Sequence, residues 1–159
     1  YYLALERLGR EYVAQQKFDF ARAAFLKTVS VNDRSFNGWY GLSYAAYALK
    51  DTKYGIPAAL KAVELDSSSV DAYLILGLAN RQAKIYSESE KAFLQAKKLA
   101  NGQNADVFWN LALLYANDMK RYKEAADELE SYLKVSTDDA KKESVKKLIA
   151  DFRQKAAAK

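Results

Sequence analysis

A chain of 159 residues falls within the size of one domain, and with half its residues hydrophobic and a single proline it carries the composition of a packed, mostly helical core. It has no cysteine and no histidine, which excludes disulfides, thiolate ligands and cysteine nucleophiles, and removes the commonest metal ligand and general base. The formal charge of +5 is modest and uneven: seven Lys or Arg against four Asp or Glu from Asp138 onward leave only +2 on residues 1–137, a basic tail rather than a basic groove. No apolar run approaches the roughly 20 residues of a membrane span, so a soluble protein is expected. Absence of cysteine fits a reducing or an oxidising compartment equally, so cytoplasmic, periplasmic and secreted settings are all compatible.

Residues Tyr1 to Arg10 lack an initiator Met, and Glu6 and Arg7 interrupt any signal-peptide layout, as in an excised domain or a mature product. Leu5, Leu8 and Tyr12 then make the apolar stripe of a first helix, and Ala21, Phe25 and Thr28 that of a second, ending near Asn32–Asp33. The next helix, Asn37 to Tyr47, carries two stripes. Trp39, Leu42 and Ala46 have the spacing of scaffold, whereas Tyr40, Tyr44 and Tyr47 lie about 100° further round and form a surface offered to something else.

The layout then recurs. Gly55, Ala59 and Ala62 follow in a fourth helix; Tyr73, Leu76 and Asn80, then Ser89, Phe93 and Ala96 in a third pair; Phe108, Leu111 and Tyr115, then Ala125, Leu129 and Tyr132 in a fourth. Leu8, Leu42 and Leu76 are 34 residues apart and Leu111 follows after 35; Phe25, Ala59 and Phe93 keep the same step and Leu129 follows after 36. Small residues face one another within pairs, Gly9 with Ala21, Ser43 with Gly55, Gly77 with Ser89 and Ala112 with Ala125, as close helix approach requires. Two one-residue insertions in the fourth copy predict altered turns around Asn101–Asn104 and Asn117–Arg121. Pro57 is expected in the first turn or so of its helix, where its missing amide costs little.

Leu8-Gly9…Tyr12…Ala21…Phe25, with its echoes at Tyr73…Leu76-Gly77…Phe93…Ala96 and Phe108…Leu111-Ala112…Tyr115…Ala125, resembles the tetratricopeptide repeat family. The resemblance implies an all-α solenoid of antiparallel helix pairs, a right-handed superhelix of about nine helices. Its repeats are expected at 2–35, 36–69, 70–104 and 105–137, followed by a capping helix over 138–155 and a frayed tail over 156–159. The proline that usually closes a repeat in that family is replaced by Asp33, Ser67, Asn101 and Thr137, residues that favour turns and helix N-caps. Val145, Leu148, Ile149 and Phe152 give the last helix one apolar stripe on an otherwise lysine-rich surface, as a cap needs.

No G-x-G-x-x-G or phosphate loop exists, and no calcium loop. Glu88 with Glu90 and Asp138 with Asp139 are the nearest carboxylate pairs, and solvated helix starts account for them better than acid–base chemistry. An enzyme, a metal site and a cofactor are therefore not expected. The resemblance instead implies a non-catalytic scaffold that holds a protein or peptide on the first helices of its pairs. Carried over by register, the binding positions are Arg10; Tyr40, Tyr44 and Tyr47; Leu74, Leu78 and Arg81; and Trp109, Leu113 and Asn117, with Glu6, Val13, Asn37, Asp71 and Asp106 facing the same way. The Lys, Arg and Asn set by which some members hold a C-terminal carboxylate is absent, since Glu6, Arg10, Gly41, Asp71 and Ile75 stand in its place. The ligand class implied is an apolar or aromatic segment, with Arg10 and Arg81 available to acidic flanks. Self-assembly through the first repeat is the alternative, and nucleic-acid binding by the lysines of 141–155 a weaker one.

Overall fold

The computed structural model describes residues 1–158, and every regular element among them is helical. In chain order these are α1 Tyr2–Ala14, α2 Phe18–Val31, α3 Phe36–Ala48, α4 Thr52–Leu65, α5 Val70–Gln82, α6 Tyr86–Leu99, α7 Ala105–Leu113, α8 Tyr122–Val135 and α9 Lys142–Ala157. A π turn, Leu114–Asp118, extends α7, and a 3-10 turn, Asp139–Lys141, precedes α9. The expected all-α architecture of helix pairs is what the chain adopts. None of these helices is long and apolar enough to cross a membrane. The chain divides into two compact units, Tyr1–Ile85 and Tyr86–Lys159.

In the first unit α1 packs on α2 and α3 on α4, with α2 against α3 and α4 against α5. Ala21, Ser43, Ala58, Ala59 and Ala62 are buried at these crossings, so helix backbones approach closely and the large side chains fill what remains. Phe25 is the largest of these fillers. A Cβ on Gly9 would stand 2.6 Å from its Cε1, and one on Gly41 2.6 Å from its Cε2, so the ring occupies space that two glycines leave open. At the α3–α4 crossing the buried Ser43 hydroxyl donates to the Gly55 carbonyl at 2.8 Å, which satisfies a polar group in an apolar setting.

The turns repeat as faithfully as the helices. Within each pair the link passes through one residue in the left-handed region, Gln16, Lys50, Lys84 and Lys120, with φ between 57° and 62°. The caps, however, fall later than the family proline positions suggest. Ser35, Ser69 and Asn104 accept from the amides of Gly38, Ala72 and Val107, whereas Asp33 contributes only its carbonyl, which accepts from Trp39 Nε1 at 2.7 Å.

Three expectations need correction. Leu8, the register partner of Leu42 and Leu76, is 42% exposed where those two are 1% and 8%, because no helix among the described residues packs on that side of α1. Pro57 is the sixth residue of α4, which starts at Thr52, so it removes an amide that would have bonded the Lys53 carbonyl and is not a harmless first-turn proline. In the tail expected to fray, Ala156 and Ala157 continue α9, while Lys159 lies outside the described residues.

In the second unit α6 packs on α7, α7 on α8 and α8 on α9. Both insertions are absorbed locally. The first gives consecutive left-handed residues, Asn101 at φ 50° and Gly102 at φ 66°, before the Asn104 cap. The second widens the end of α7 into the π turn, closed by Met119 N donating to the Leu114 carbonyl. Glu90 fastens that turn, accepting from Tyr115 Oη at 3.0 Å and Arg121 Nη1 at 2.7 Å, while the Arg121 guanidinium lies 4.5 Å over the Tyr115 ring. Burial and the Glu90 bond raise the Tyr115 phenol well above its ordinary value. α9 buries Val145 and Phe152, sets the Phe152 ring tilted against that of Tyr122 with centroids 6.0 Å apart, and reaches Asp127 and Glu130 on α8 through Arg153.

Candidate functional site

A cleft of about 300 Å³ opens in the first unit between α1 and α3, lined by Arg10, Val13, Phe25, Asn37, Tyr40, Gly41 and Tyr44. Its lining is mostly apolar. Phe25 rises from α2 as the floor, and it reaches the cleft because Gly41 has no side chain; Ile75 holds the equivalent place on α5 and is buried. The tyrosines are the walls. Phe36 stacks on Tyr40 at 5.9 Å and 10°, and Phe18 stands 6.4 Å from the Tyr44 ring, so both are braced by aromatic neighbours. Tyr44 is still 38% exposed. Burial first, then the Asp71 carboxylate and Tyr44, raise the Tyr40 phenol above its ordinary value, so Tyr40 presents a neutral hydroxyl at neutral pH.

Arg10 is exposed on the rim and enters no salt bridge among the described residues, leaving a guanidinium beside an apolar cleft. Glu6, expected to share that surface, is buried at 4% exposure and committed elsewhere. It accepts from the Ser35 hydroxyl and, at 3.2 Å, from Asn37 Nδ2, tying α1 to the N-cap of α3. The cleft therefore carries less negative charge than the register implied.

Of the ten expected binding residues, Arg10, Tyr40 and Tyr44 line this cleft. Tyr47, Leu74, Leu78 and Arg81 are half-buried on α3 and α5 of the same unit, and the Tyr47 carbonyl accepts from Gln82 Nε2 at 3.0 Å. Trp109, Leu113 and Asn117 belong to the second unit. There Trp109 leans on Tyr132 with ring centroids 5.4 Å apart, Leu113 is half-buried, and Asn117 is exposed in the π turn. Phe25 and Gly41 were missed as site residues: a glycine inside a helix, where α5 carries Ile75, was the available signal. No group of His, Cys, Asp or Glu that could hold a metal occurs among the described residues.

Successive antiparallel helix pairs define the class of α-helical repeat proteins. A family model of the tetratricopeptide repeat matches residues 6–69 and again 54–104, and the chain belongs to that family. No curated protein sequence matches it. Among solved structures it is similar to TTC0263, a thermophilic tetratricopeptide repeat protein of Thermus thermophilus, with a TM-score of 0.79 at 20% identity over 97% of this chain and 82% of that one. It is similar also to PilF of Pseudomonas aeruginosa, with a TM-score of 0.81 at 22% identity over 99% of this chain and 69% of that one. A third similar structure is YrrB, a tetratricopeptide repeat protein with an unusual peptide-binding site, with a TM-score of 0.74 at 20% identity over 92% and 71%. At such identities the likeness concerns the fold.

Proposed function

We propose that the chain is a non-catalytic protein-binding module whose α1–α3 cleft receives an apolar or aromatic side chain of a partner's peptide or helix. The cleft itself carries the proposal: its walls are tyrosines, its floor is the edge of a buried phenylalanine, and its rim holds a guanidinium without a partner of its own. Rigid aromatic walls give large contact area at little entropic cost, and Arg10 suits a carboxylate next to the inserted side chain. Tyr47, Leu74, Leu78 and Arg81 extend the contact within the first unit; Trp109, Leu113 and Asn117 lie on the second unit, and we propose them as a separate contact of that unit by itself. The family is generally non-catalytic, and the peptide-binding site of YrrB is a precedent for such a site on this fold. Nucleic-acid binding draws less support, since Lys141, Lys142, Lys146, Arg153 and Lys155 all engage carboxylates.

Selection of displayed random peptides on the immobilised chain tests this. The enriched peptides are expected to share an aromatic or large aliphatic residue close to an acidic one. They should lose about tenfold or more in affinity on Tyr44→Glu, with helical content unchanged. Equal binding to the variant, or no enrichment, overturns it.

A further inference from the structure

The side of α1 that is uncovered among the described residues differs chemically from the matching side of α3 and α5. At the Leu8 level, Leu42 and Leu76 are buried in α3 and α5. One step before it, where α3 has Gly41 and α5 the buried Ile75, α1 has Arg7; three steps after it, where α3 and α5 bury Ala45 and Ala79, α1 has Glu11. Arg7 and Glu11 are exposed and enter no salt bridge among the described residues.

We infer that this face is a homodimer interface, in which α1 lies antiparallel to α1 of a second copy about a two-fold axis near Gly9. The argument is charge self-complementarity. Arg7 and Glu11 are four residues apart and flank Leu8 on the same side of its stripe. In an antiparallel helix pair that side of one helix meets the same side of the other, so Arg7 of each copy meets Glu11 of its mate, two pairs in all. Leu8 of the two copies then closes the centre, with Ala4 further out along the helix, as an isologous contact allows. Tyr12 and Phe20, whose rings lie 5.3 Å apart and of which Phe20 is 60% exposed, supply apolar area on the opposite flank. The surface is small, so the dimer is weak, with a Kd of about 10–500 µM. It uses none of the cleft residues Tyr40, Gly41 and Tyr44, and it stands independently of the peptide-binding proposal.

Sedimentation equilibrium of the whole chain from about 1 µM to about 1 mM reads the dimer directly. Arg7→Glu and Glu11→Arg each place two like-charge contacts in the interface and are expected to weaken it about tenfold or more. The double exchange Arg7→Glu with Glu11→Arg recreates both pairs in reverse and is expected to return the Kd to within about threefold of wild type. Tyr44→Glu should leave it unchanged. A monomer over the whole range overturns the inference. So does a dimer indifferent to the single exchanges, single losses that the double exchange does not restore, or loss of the dimer on Tyr44→Glu.

Discussion

Helices α1 and α3 hold the same place in successive pairs, and they differ most where one is covered and the other is not. α2 lies against α3, so Gly38, Gly41, Leu42 and Ala45 are buried and every atom at those positions is constrained. No helix among the described residues lies over the corresponding side of α1, and Ala4, Arg7, Leu8 and Glu11 are exposed there. The same register therefore carries packing in one helix and surface chemistry in the other. A position in a repeat acquires its energetic meaning from its neighbour, not from its phase.

The largest expected contrast lies between two leucines in the same register. Leu42→Ala should cost about 2–5 kcal/mol through lost burial and a residual cavity, and Leu8→Ala less than about 1 kcal/mol in the monomer, both read from urea unfolding. Equal costs would mean that α1 is as covered as α3. Next come two buried glycines. Gly41→Ala drives a methyl into the Phe25 ring and should cost about 1–3 kcal/mol, whereas a Cβ on Gly55 would meet Ala79 at 3.8 Å and Ala46 at 3.9 Å in ordinary contact. Gly55→Ala should therefore raise stability by about 0.5–1 kcal/mol, by the same unfolding measurement.

The two serine caps sharpen the comparison further. Ser69→Ala removes a cap and should cost about 1 kcal/mol, while Ser35→Ala also takes a partner from the buried Glu6 carboxylate and should cost about 2 kcal/mol. Equal losses would show that the Glu6 link from α1 to α3 contributes nothing. The smallest effect is a pH dependence. Because folding raises the Tyr40 pKa, the stability linked to its neutral phenol is complete below the ordinary tyrosine value and is lost as pH rises through the raised one. Tyr40→Phe should therefore flatten the alkaline decline in the urea midpoint. It will not abolish it, since Tyr115 is shifted in the same direction.

Periodicity made the helix pairs legible, because Leu42, Leu76 and Leu111 repeat for a reason that is local to each helix and its facing groove. The small–small crossings were legible for the same reason. Neither the burial of Glu6 nor the exposure of Leu8 could be read that way: the first depends on Ser35, 29 residues away, and the second on the absence of a neighbour. Pro57 was misplaced because helix starts are the least determined part of a sequence pattern. The fourth-copy insertions were visible as spacing, but spacing does not say whether an extra residue enters a loop, as at Asn101–Gly102, or a helix end, as at Leu114–Asp118. The cleft was half legible. Tyr40 and Tyr44 stood out as surplus to packing, yet the floor needed three helices at once, with Phe25 of α2 meeting gaps at Gly9 of α1 and Gly41 of α3.

The central claim is that a partner's side chain enters between α1 and α3, and mapping amide chemical shifts during titration with a selected peptide tests it most directly. The expected shifts gather on Arg10, Val13, Asn37, Tyr40, Gly41 and Tyr44, and vanish for the same peptide added to Tyr44→Glu. Shifts that gather elsewhere, on Phe20 and Leu60 for instance, with the cleft resonances unmoved, would contradict the account.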